Sequence, residues 1–485
     1  MLSMFMSAIE ATIVATSMPT IVASLGGVAL YSWVFSAYLL LQAVSVPIYG
    51  KLADLFGRKP VYLFGVTVFL AGSLLAGLAG SMQALVFYRL VQGLGAGAVM
   101  PLAMTLIGDL YSLEERGQVQ GYLASVWGTA SIVGPLSGAL IVQYADWAWV
   151  FWVNIPFGMV AFVLITIYLH EDGARRQARI DLPGAGLLLA GLSALMLLLT
   201  EATHWSLTVV GGLALLVALC FALLVRREGR VAEPMLNLAL WRNPLIANAN
   251  LATLAAGIAM VGLVSFLPTY VQGALGTSAL VAGFTLSAMS IGWPIAATVT
   301  GRVLVRMGPR RMARLGGCTV STGALLVALL APHGPPAIAV GAFVIGFGFG
   351  ILNTTFIVSI QTSVAWAQRG AATASNMLMR LLGNAIGVAL FGGVFNAVMQ
   401  HRLVSGGLAG RFSMDSVQGL LDRSSSAGQA LLAEGGAALR LALAGSLEAV
   451  FWGVLVAALA AMALALRLPQ VTLRDQPARP VRAAD

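Results

Sequence analysis

Apolar blocks long enough to cross a lipid bilayer recur along the whole chain of 485 residues. A helix needs about 20 mostly apolar residues to cross a hydrocarbon layer of roughly 30 Å. We identify fourteen such blocks, at residues 2–25, 32–50, 61–80, 84–108, 118–142, 150–169, 183–200, 207–225, 245–272, 280–303, 315–331, 337–363, 372–398 and 447–466. The sequence therefore predicts an all-α, polytopic membrane protein.

Composition excludes several other classes. Hydrophobic residues make up 59% of the chain and charged residues 9%, whereas about 25% of the residues of a soluble domain are charged. Cys220 and Cys318 fall inside spans, and the four His show no metal or catalytic pattern. The sequence contains no Walker motif, so nothing indicates ATP as the energy source. We expect no metal, no cofactor and no enzymatic activity.

The basic residues predict the orientation, because short cytoplasmic loops accumulate Lys and Arg. With both termini inside, 21 of the 27 Lys and Arg residues fall on the inner side, two lie inside spans and four lie in one long outer loop. We therefore expect a multi-pass protein of the cytoplasmic (inner) membrane with both termini in the cytoplasm. The net charge of +9 belongs to these loops and does not indicate nucleic-acid binding. The outer loop, residues 400–446, is a candidate site for an external partner.

Glycine patterns recur in the two halves of the chain, as expected for a duplicated transporter. The matching groups are Gly50, Gly57 and Lys59 with Gly301, Gly308 and Arg310, and Gly93, Gly95 and Gly97 with Gly346, Gly348 and Gly350. The repeat pairs spans one to six with spans nine to fourteen, so spans seven and eight are an insertion. The predicted units are a six-helix bundle at 1–170, linkers with two additional spans at 171–243, a second six-helix bundle at 244–466 and a cytoplasmic tail at 467–485.

Glu10 is an ionisable residue inside the first span, and such residues usually mark a pathway or a proton relay. It shares one helix face with Ser3, Ser7 and Ser17. Burial favours a protonated carboxyl, whereas a nearby cation favours the ionised form. A site that alternates between wet and dry states can therefore load and release a proton. The alternative is a neutral Glu10 that is hydrogen-bonded to a neighbouring helix.

Arg89 and Arg380 are the two cations inside spans. Arg89 has Gln92 one turn further on, whereas Arg380 shares a face with Asn376 and Asn384. Helix geometry predicts that Arg89 and Glu10 differ in height by roughly 10 Å, which disfavours direct pairing. Arg380 has two interpretations, a conformational latch and a residue of the substrate cavity.

Three further groups of residues are candidates for function. Opposite charges at the inner rim, at Asp54, Arg58, Asp109 and Arg116, form either a clamp that opens and closes or ordinary solvated surface. Small residues around Pro135 in span five permit close helix packing and bending. The candidates for a cavity near the midplane are Tyr38, Gln42, Phe266, Tyr270, Trp293, Asn353, Gln361 and Arg380.

The glycine, charged and proline residues described above, with the motifs around them, resemble the fourteen-span drug:proton antiporter family of the major facilitator superfamily. The loop motif G-x-x-x-D-[RK]-x-G-[RK]-[RK] occurs at residues 50–59 and departs from the family only at Leu55. The matching motif residues are Gly50, Asp54, Gly57, Arg58 and Lys59 in this loop, Arg89, Gln92 and Gly93 in span four, and Gly121, Gly134, Pro135 and Gly138 in the export signature of span five. Residues 12–21 and 147–156 are also similar to this family, although Glu10 stands where an Asp is usual.

The resemblance implies a major facilitator fold of two six-helix bundles plus two inserted helices. It also implies proton-coupled export of small amphipathic or hydrophobic compounds such as drugs, with Arg89 assisting proton transfer at Glu10. Two other functions stay open at this point. One is transport of a specific metabolite or nutrient on the same fold, and the other is a receptor or scaffold that transports nothing.

Overall fold

The computed structural model describes residues 2–110, 126, 129–130, 133–169, 181–201, 205–231, 240–364, 369–406 and 436–470. Within these ranges the chain is helical and contains no strand. The helices are α1 (Leu2–Leu25), α2 (Tyr31–Phe56), α3 (Arg58–Gly77), α4 (Met82–Leu110), α5 (Trp149–Trp152), α6 (Asn154–Tyr168), α7 (Leu182–Glu201), α8 (Leu207–Glu228), α9 (Pro244–Thr269), α10 (Ala279–Met307), α11 (Pro309–Leu330), α12 (Pro335–Thr362), α13 (Arg369–Ser405) and α14 (Gly436–Leu466). Residues 133–144 are also helical. Short 3₁₀ helices occur at Val28–Leu30, Leu240–Arg242 and Ala331–His333, and a π-helical turn occurs at Tyr270–Ala274.

The helices confirm the predicted all-α, polytopic class. Twelve helical segments of the described residues are long and apolar enough to cross a membrane. Helix α1 is bent by 40° between its two parts, Leu2–Glu10 and Thr12–Leu25. Counted as one span, it is the thirteenth. The predicted fifth span, residues 118–142, lies largely outside the described residues. The predicted number of fourteen spans therefore rests on that segment and stays a prediction.

The helices that flank the predicted outer loop extend into it. Helix α13 continues to Ser405 and α14 begins at Gly436, so both ends of the predicted loop are helical. The helices extend because Met399 and Leu403 belong to the same buried cluster as Leu439 and Leu443. Residues 407–435 lie outside the described residues, and the external partner predicted for this loop stays a prediction.

The same turn occurs twice, 251 residues apart. Gly57 joins α2 to α3 with φ +95°, and Gly308 joins α10 to α11 with φ +80°. Residues with a Cβ rarely adopt such angles, which explains why glycine stands at both positions. In each turn the glycine N–H donates to the carbonyl four residues earlier, at 3.0 Å for Gly57 and 2.9 Å for Gly308.

The repeated glycines of α4 and α12 also make equivalent contacts. A Cβ built on Gly93 would collide with the backbone carbonyl of Tyr38, and one built on Gly346 would collide with that of Met289. Tyr38 and Met289 are themselves 251 residues apart. Glycine therefore lets α4 approach the backbone of α2 and lets α12 approach that of α10, as expected for small residues at contacts between membrane helices.

Helices α7 and α8 pack together beside the two repeated sets. Leu188 and Met196 of α7 belong to a buried cluster that also contains Val44 of α2 and Leu382 of α13. Much of α8 is exposed on the surface of the fold, where a lipid-facing helix is expected. The ends of the pair are joined by Arg227 Nε, which donates to Asp181 Oδ1 at 2.6 Å. The two inserted helices thus form a hairpin against α2 and α13.

Candidate functional site

Glu10 lies at the centre of a buried polar cluster. It stands on α1 beside the bend, and the residue is 1% exposed. Arg89 of α4 donates from Nη1 to Glu10 Oε1 and forms a salt bridge with it. Asn154 of α6 donates from Nδ2 to Glu10 Oε2 at 2.5 Å. Each carboxylate oxygen therefore accepts a hydrogen bond from a different helix.

Arg89 is held on several sides by α2 and α4. Its Nη1 also donates to Gln92 Oε1 at 2.5 Å, and its Nε donates to the carbonyl of Val34 at 3.1 Å. The guanidinium carbon lies 4.2 Å from the centre of the Tyr38 ring, within cation–π distance. The Phe151 ring lies 5.9 Å away. The charge of Arg89 is thus matched by one carboxylate, two neutral acceptors and two aromatic rings.

This cluster connects five helices. Gln92 Nε2 donates to Ser73 Oγ of α3 at 2.7 Å, which adds α3 to α1, α2, α4 and α6. An isolated charge inside a membrane costs several kcal/mol, whereas a matched pair with satisfied hydrogen bonds costs less. Adding a proton to Glu10 therefore changes the charge balance of this cluster.

The sequence identified Glu10 and Arg89 but not their contact. The expectation that their height difference disfavours direct pairing is wrong, because the two side chains form a salt bridge. Glu10 lies beside the bend of α1, and the arginine side chain is long. Asn154 lies in the stretch 147–156 that resembles the family, and the sequence alone gives it no contact with Glu10. A buried asparagine (1% exposed) among apolar residues was the signal for its contact with Glu10.

The described glycines of the export signature lie against α1, close to Glu10. A Cβ built on Gly134 would collide with Thr12 Oγ1, and one built on Gly138 would lie 2.6 Å from the carbonyl of Ile13. On the other side, a Cβ built on Gly283 of α10 would lie 2.8 Å from the carbonyl of Pro135. Residues 133–144 therefore fit tightly between α1 and α10. Gly121 lies outside the described residues.

The predicted inner clamp is only partly covered by the structure. Gly50 lies near the end of α2 and Gly57 forms the turn, while Lys59 Nζ donates to the carbonyls of Thr166 at 2.9 Å and Leu169 at 2.7 Å. Lys59 thus places a cation at the C-terminal end of α6, where the helix dipole favours one. Arg58 begins α3, and the side chains of Asp54 and Asp109, like the whole of Arg116, lie outside the described residues. The clamp stays a prediction.

A narrow cavity of about 20 Å³ lies among α9, α10, α12 and α13. Three of the predicted cavity residues, Trp293, Asn353 and Arg380, line it. The aromatic and apolar wall that the sequence did not single out includes Met260, Leu352, Phe349 and Phe356.

The other predicted cavity residues lie elsewhere. Tyr38 faces Arg89, and Gln42 is buried on α2. Phe266 packs against the Tyr31 ring, with 5.4 Å between ring centres. Two further residues make polar contacts, in which Tyr270 Oη donates to Glu448 Oε1 at 3.2 Å and Gln361 Nε2 donates to Thr373 Oγ1 at 3.2 Å.

The N-terminal helices (α1–α6) and the C-terminal helices (α9–α14) are closed against each other at one end. Tyr31 Oη donates to the carbonyl of Ser265 and lies 2.8 Å from Thr269 Oγ1. Gln272 Nε2 donates to the carbonyl of Thr16 at 3.0 Å, and Asn396 donates to the 3₁₀ helix before α2. These hydrogen bonds join the two sets towards the end that is outer in the predicted orientation.

The fold and the site are those of a polytopic membrane transporter. Up to thirteen candidate spans among the described residues, a twice-repeated turn, a buried ion pair and a cavity between helices all fit this class. The chain belongs to the Major Facilitator Superfamily, whose family model matches residues 1–388. It is therefore a transporter rather than an enzyme, and the superfamily expected from the sequence motifs is confirmed.

Individual relatives agree with this assignment. The chain is 33% identical to the multidrug transporter protein MdtP of Bacillus subtilis (strain 168) over 403 residues, which are 82% of this chain and 74% of MdtP. It is also 33% identical to multidrug resistance protein 3 of the same organism over 411 residues, 83% of this chain and 80% of that protein. The sequence motifs had predicted relatives of this kind.

Solved structures show the same fold at low identity. A bacterial homologue of the human lysosomal transporter Spinster matches with a TM-score of 0.69 and 15% identity, covering 98% of this chain and 97% of that one. A D-xylose–proton symporter matches with a TM-score of 0.61 and 13% identity, covering 87% of this chain and 93% of the symporter. At such identities the likeness defines the fold alone.

Proposed function

We propose that this protein is a proton-coupled antiporter that exports small amphipathic or hydrophobic compounds across the cytoplasmic membrane. The observation that carries this proposal is the buried Glu10 carboxylate, which is bonded to Arg89 through one oxygen and to Asn154 through the other. A proton on Glu10 is the smallest change that removes this ion pair. The names of the two Bacillus subtilis relatives support drugs as the cargo.

Protonation acts on α1 because Glu10 links this helix to Arg89 of α4 and Asn154 of α6. An ionised Glu10 is drawn to Arg89, whereas a neutral Glu10 leaves the guanidinium with Gln92, the Val34 carbonyl and the Tyr38 ring. The same helix meets the C-terminal helices through the Thr16 carbonyl. A change in how Glu10 is held therefore alters the strength of the closed outer end, which is the two-state element that alternating access needs.

The cycle needs only a proton gradient as its energy source. When the site faces outward, Glu10 takes a proton and cargo leaves; when the site faces inward, Glu10 releases the proton and cargo binds. The inner motif around Gly57 and Lys59 serves as the opposing gate in this proposal. Both termini lie in the cytoplasm, as the distribution of Lys and Arg predicts.

Transport by purified protein in liposomes under an imposed pH gradient tests the proposal. The test compounds are a panel of fluorescent anionic, neutral and cationic amphiphiles. We expect the pH gradient to drive transport of at least one of them. Glu10→Gln keeps the size and hydrogen bonding of the side chain but cannot lose a proton, so its transport no longer responds to the gradient.

A matched control is Asp146→Asn. Asp146 is an exposed carboxylate whose Oδ1 accepts from the N–H of Ala148 at 2.8 Å, and asparagine keeps that acceptor. Transport by this variant still follows the gradient. The proposal fails if Glu10→Gln responds to the gradient as the wild type does, or if no amphiphile is moved by the wild type.

A further inference from the structure

The two arginines inside the membrane differ in how their charge is balanced. Arg89 has the Glu10 carboxylate as its counter-ion. Arg380, half-buried on α13, forms no ion pair with any residue that the structure describes. A guanidinium stays charged at all physiological pH values, so it requires compensation inside a membrane.

The asparagines on the same face of α13 do not supply this compensation. Asn376 donates to Asn250 Oδ1 at 3.0 Å and to Thr253 Oγ1 at 2.9 Å, so it is bonded to α9. With its amide in the orientation that satisfies its neighbours, Asn384 donates to the backbone carbonyls of Arg380 and Gly257. The side-chain acceptor for the guanidinium is Asn353 Oδ1, at a long 3.4 Å from Nη1.

The surroundings of Arg380 suit an aromatic or aliphatic body. The walls of the narrow cavity beside it include Met260, Leu352 and Phe356. They also include the Trp293–Phe349 pair, whose ring centres are 5.9 Å apart. A strong cation thus lies at one point of an apolar wall, the arrangement in which a single polar group fixes the orientation of a ligand.

We propose that this cavity binds amphipathic organic acids, with the carboxylate of the ligand paired to the Arg380 guanidinium and its apolar body against the aromatic wall. Guanidinium and carboxylate match in geometry and form two parallel charge-assisted hydrogen bonds. A cationic amphiphile of the same shape is repelled by Arg380, and a neutral one gains only the apolar contact. The inference deepens the proposed function, on which it rests, by naming the class of cargo.

Equilibrium binding to the full-length protein in detergent tests this inference without any gradient. The probes are 1-naphthaleneacetate, its neutral amide and 1-naphthylmethylammonium, which share one ring system and differ in charge. We expect the carboxylate to bind about 10- to 100-fold more tightly than the amide, the range expected for charge-assisted hydrogen bonds. The ammonium binds least.

Two variants remove this preference by different routes. Arg380→Gln deletes the charge. Asn353→Asp keeps the shape but places a carboxylate where Asn353 Oδ1 now lies, 3.4 Å from the guanidinium, and so supplies an internal counter-ion. In both variants the carboxylate binds no more tightly than the amide, whose own affinity is retained. The control Arg302→Gln changes an exposed arginine on α10 and keeps the preference.

The outcomes separate this inference from the proposed function. Equal affinity of the three probes for the wild type, or a preference that survives Arg380→Gln, overturns the inference even if gradient-driven transport is observed. A third outcome assigns the site to a lipid headgroup and also overturns the inference. In that case phosphatidylglycerol added to the micelles displaces the naphthalene probes, and the protein in lipid-free micelles binds the carboxylate no more tightly than the amide. Preference without gradient-driven movement supports the inference and refutes the proton coupling.

Discussion

Asn154→Leu is the change that most sharply tests the chemistry of the buried carboxylate. The substitution keeps a side chain of similar size, so it leaves little cavity, but it removes the donor 2.5 Å from Glu10 Oε2. Asn154 is 1% exposed, so water does not easily replace the lost donor. The remaining charged partner, Arg89, stays on the other oxygen.

The size of the effect follows from this contact. A hydrogen bond to a charged group contributes about 1.5–3 kcal/mol, and most of that is lost from the ionised form, because a protonated carboxyl depends less on a donor. The variant therefore disfavours the ionised form of Glu10 relative to the protonated form by roughly this energy.

The assay measures cargo affinity as a function of pH in detergent. Protons and cargo exclude each other in an antiporter, so affinity falls as Glu10 becomes protonated, and the midpoint of this fall reports proton binding. We expect the midpoint of Asn154→Leu to lie higher than that of the wild type. Asn248→Leu removes a hydrogen bond to the carbonyl of Pro244 within α9 and leaves the midpoint unchanged. A midpoint that is unchanged or lower in Asn154→Leu refutes the reasoning.

Two further predictions concern packing and the closed outer end. Gly93→Ala adds a methyl group that collides with the backbone of α2, so thermal unfolding in detergent shows a loss of stability of roughly 1–3 kcal/mol. The control is Gly211→Ala, in which no atom lies within 4 Å of the added Cβ, and this variant is as stable as the wild type or slightly more so. Equal stability of the two variants contradicts the close contact. Tyr31→Phe removes the hydrogen bonds of the hydroxyl to α9, so the outer end opens roughly 2- to 10-fold more often. A membrane-impermeant thiol reagent then labels a cysteine placed at the outer end of α9 faster, and an unchanged rate contradicts this role.

The spans and the duplicated turn could be predicted because their causes lie within short stretches of sequence. Apolar length determines whether a helix crosses the membrane, and glycine is required wherever φ is positive, as at Gly57 and Gly308. The full lengths of α13 and α14 could not be read from the sequence, because their extension depends on contacts between the two helices. Pattern along one helix does not contain that information.

The contacts of the site were less predictable for the same reason. The sequence named Glu10 and Arg89 as ionisable residues inside spans, but their pairing depends on the bend of α1 and on the relative heights of two helices. Spacing along α13 placed Asn376 beside Arg380, whereas the structure shows Asn376 bonded to α9. Spacing along a helix predicts which residues lie on the same face, but their hydrogen-bond partners depend on the neighbouring helix.

The most direct test of the account is proton release on cargo binding by the purified protein. Cargo is added to the protein in weakly buffered detergent solution near the midpoint of its pH profile, and a pH indicator counts the protons released. The account predicts that cargo displaces protons from the wild type and none from Glu10→Gln. Release of the same number of protons by Glu10→Gln would show that the buried carboxyl of α1 is not the coupling group.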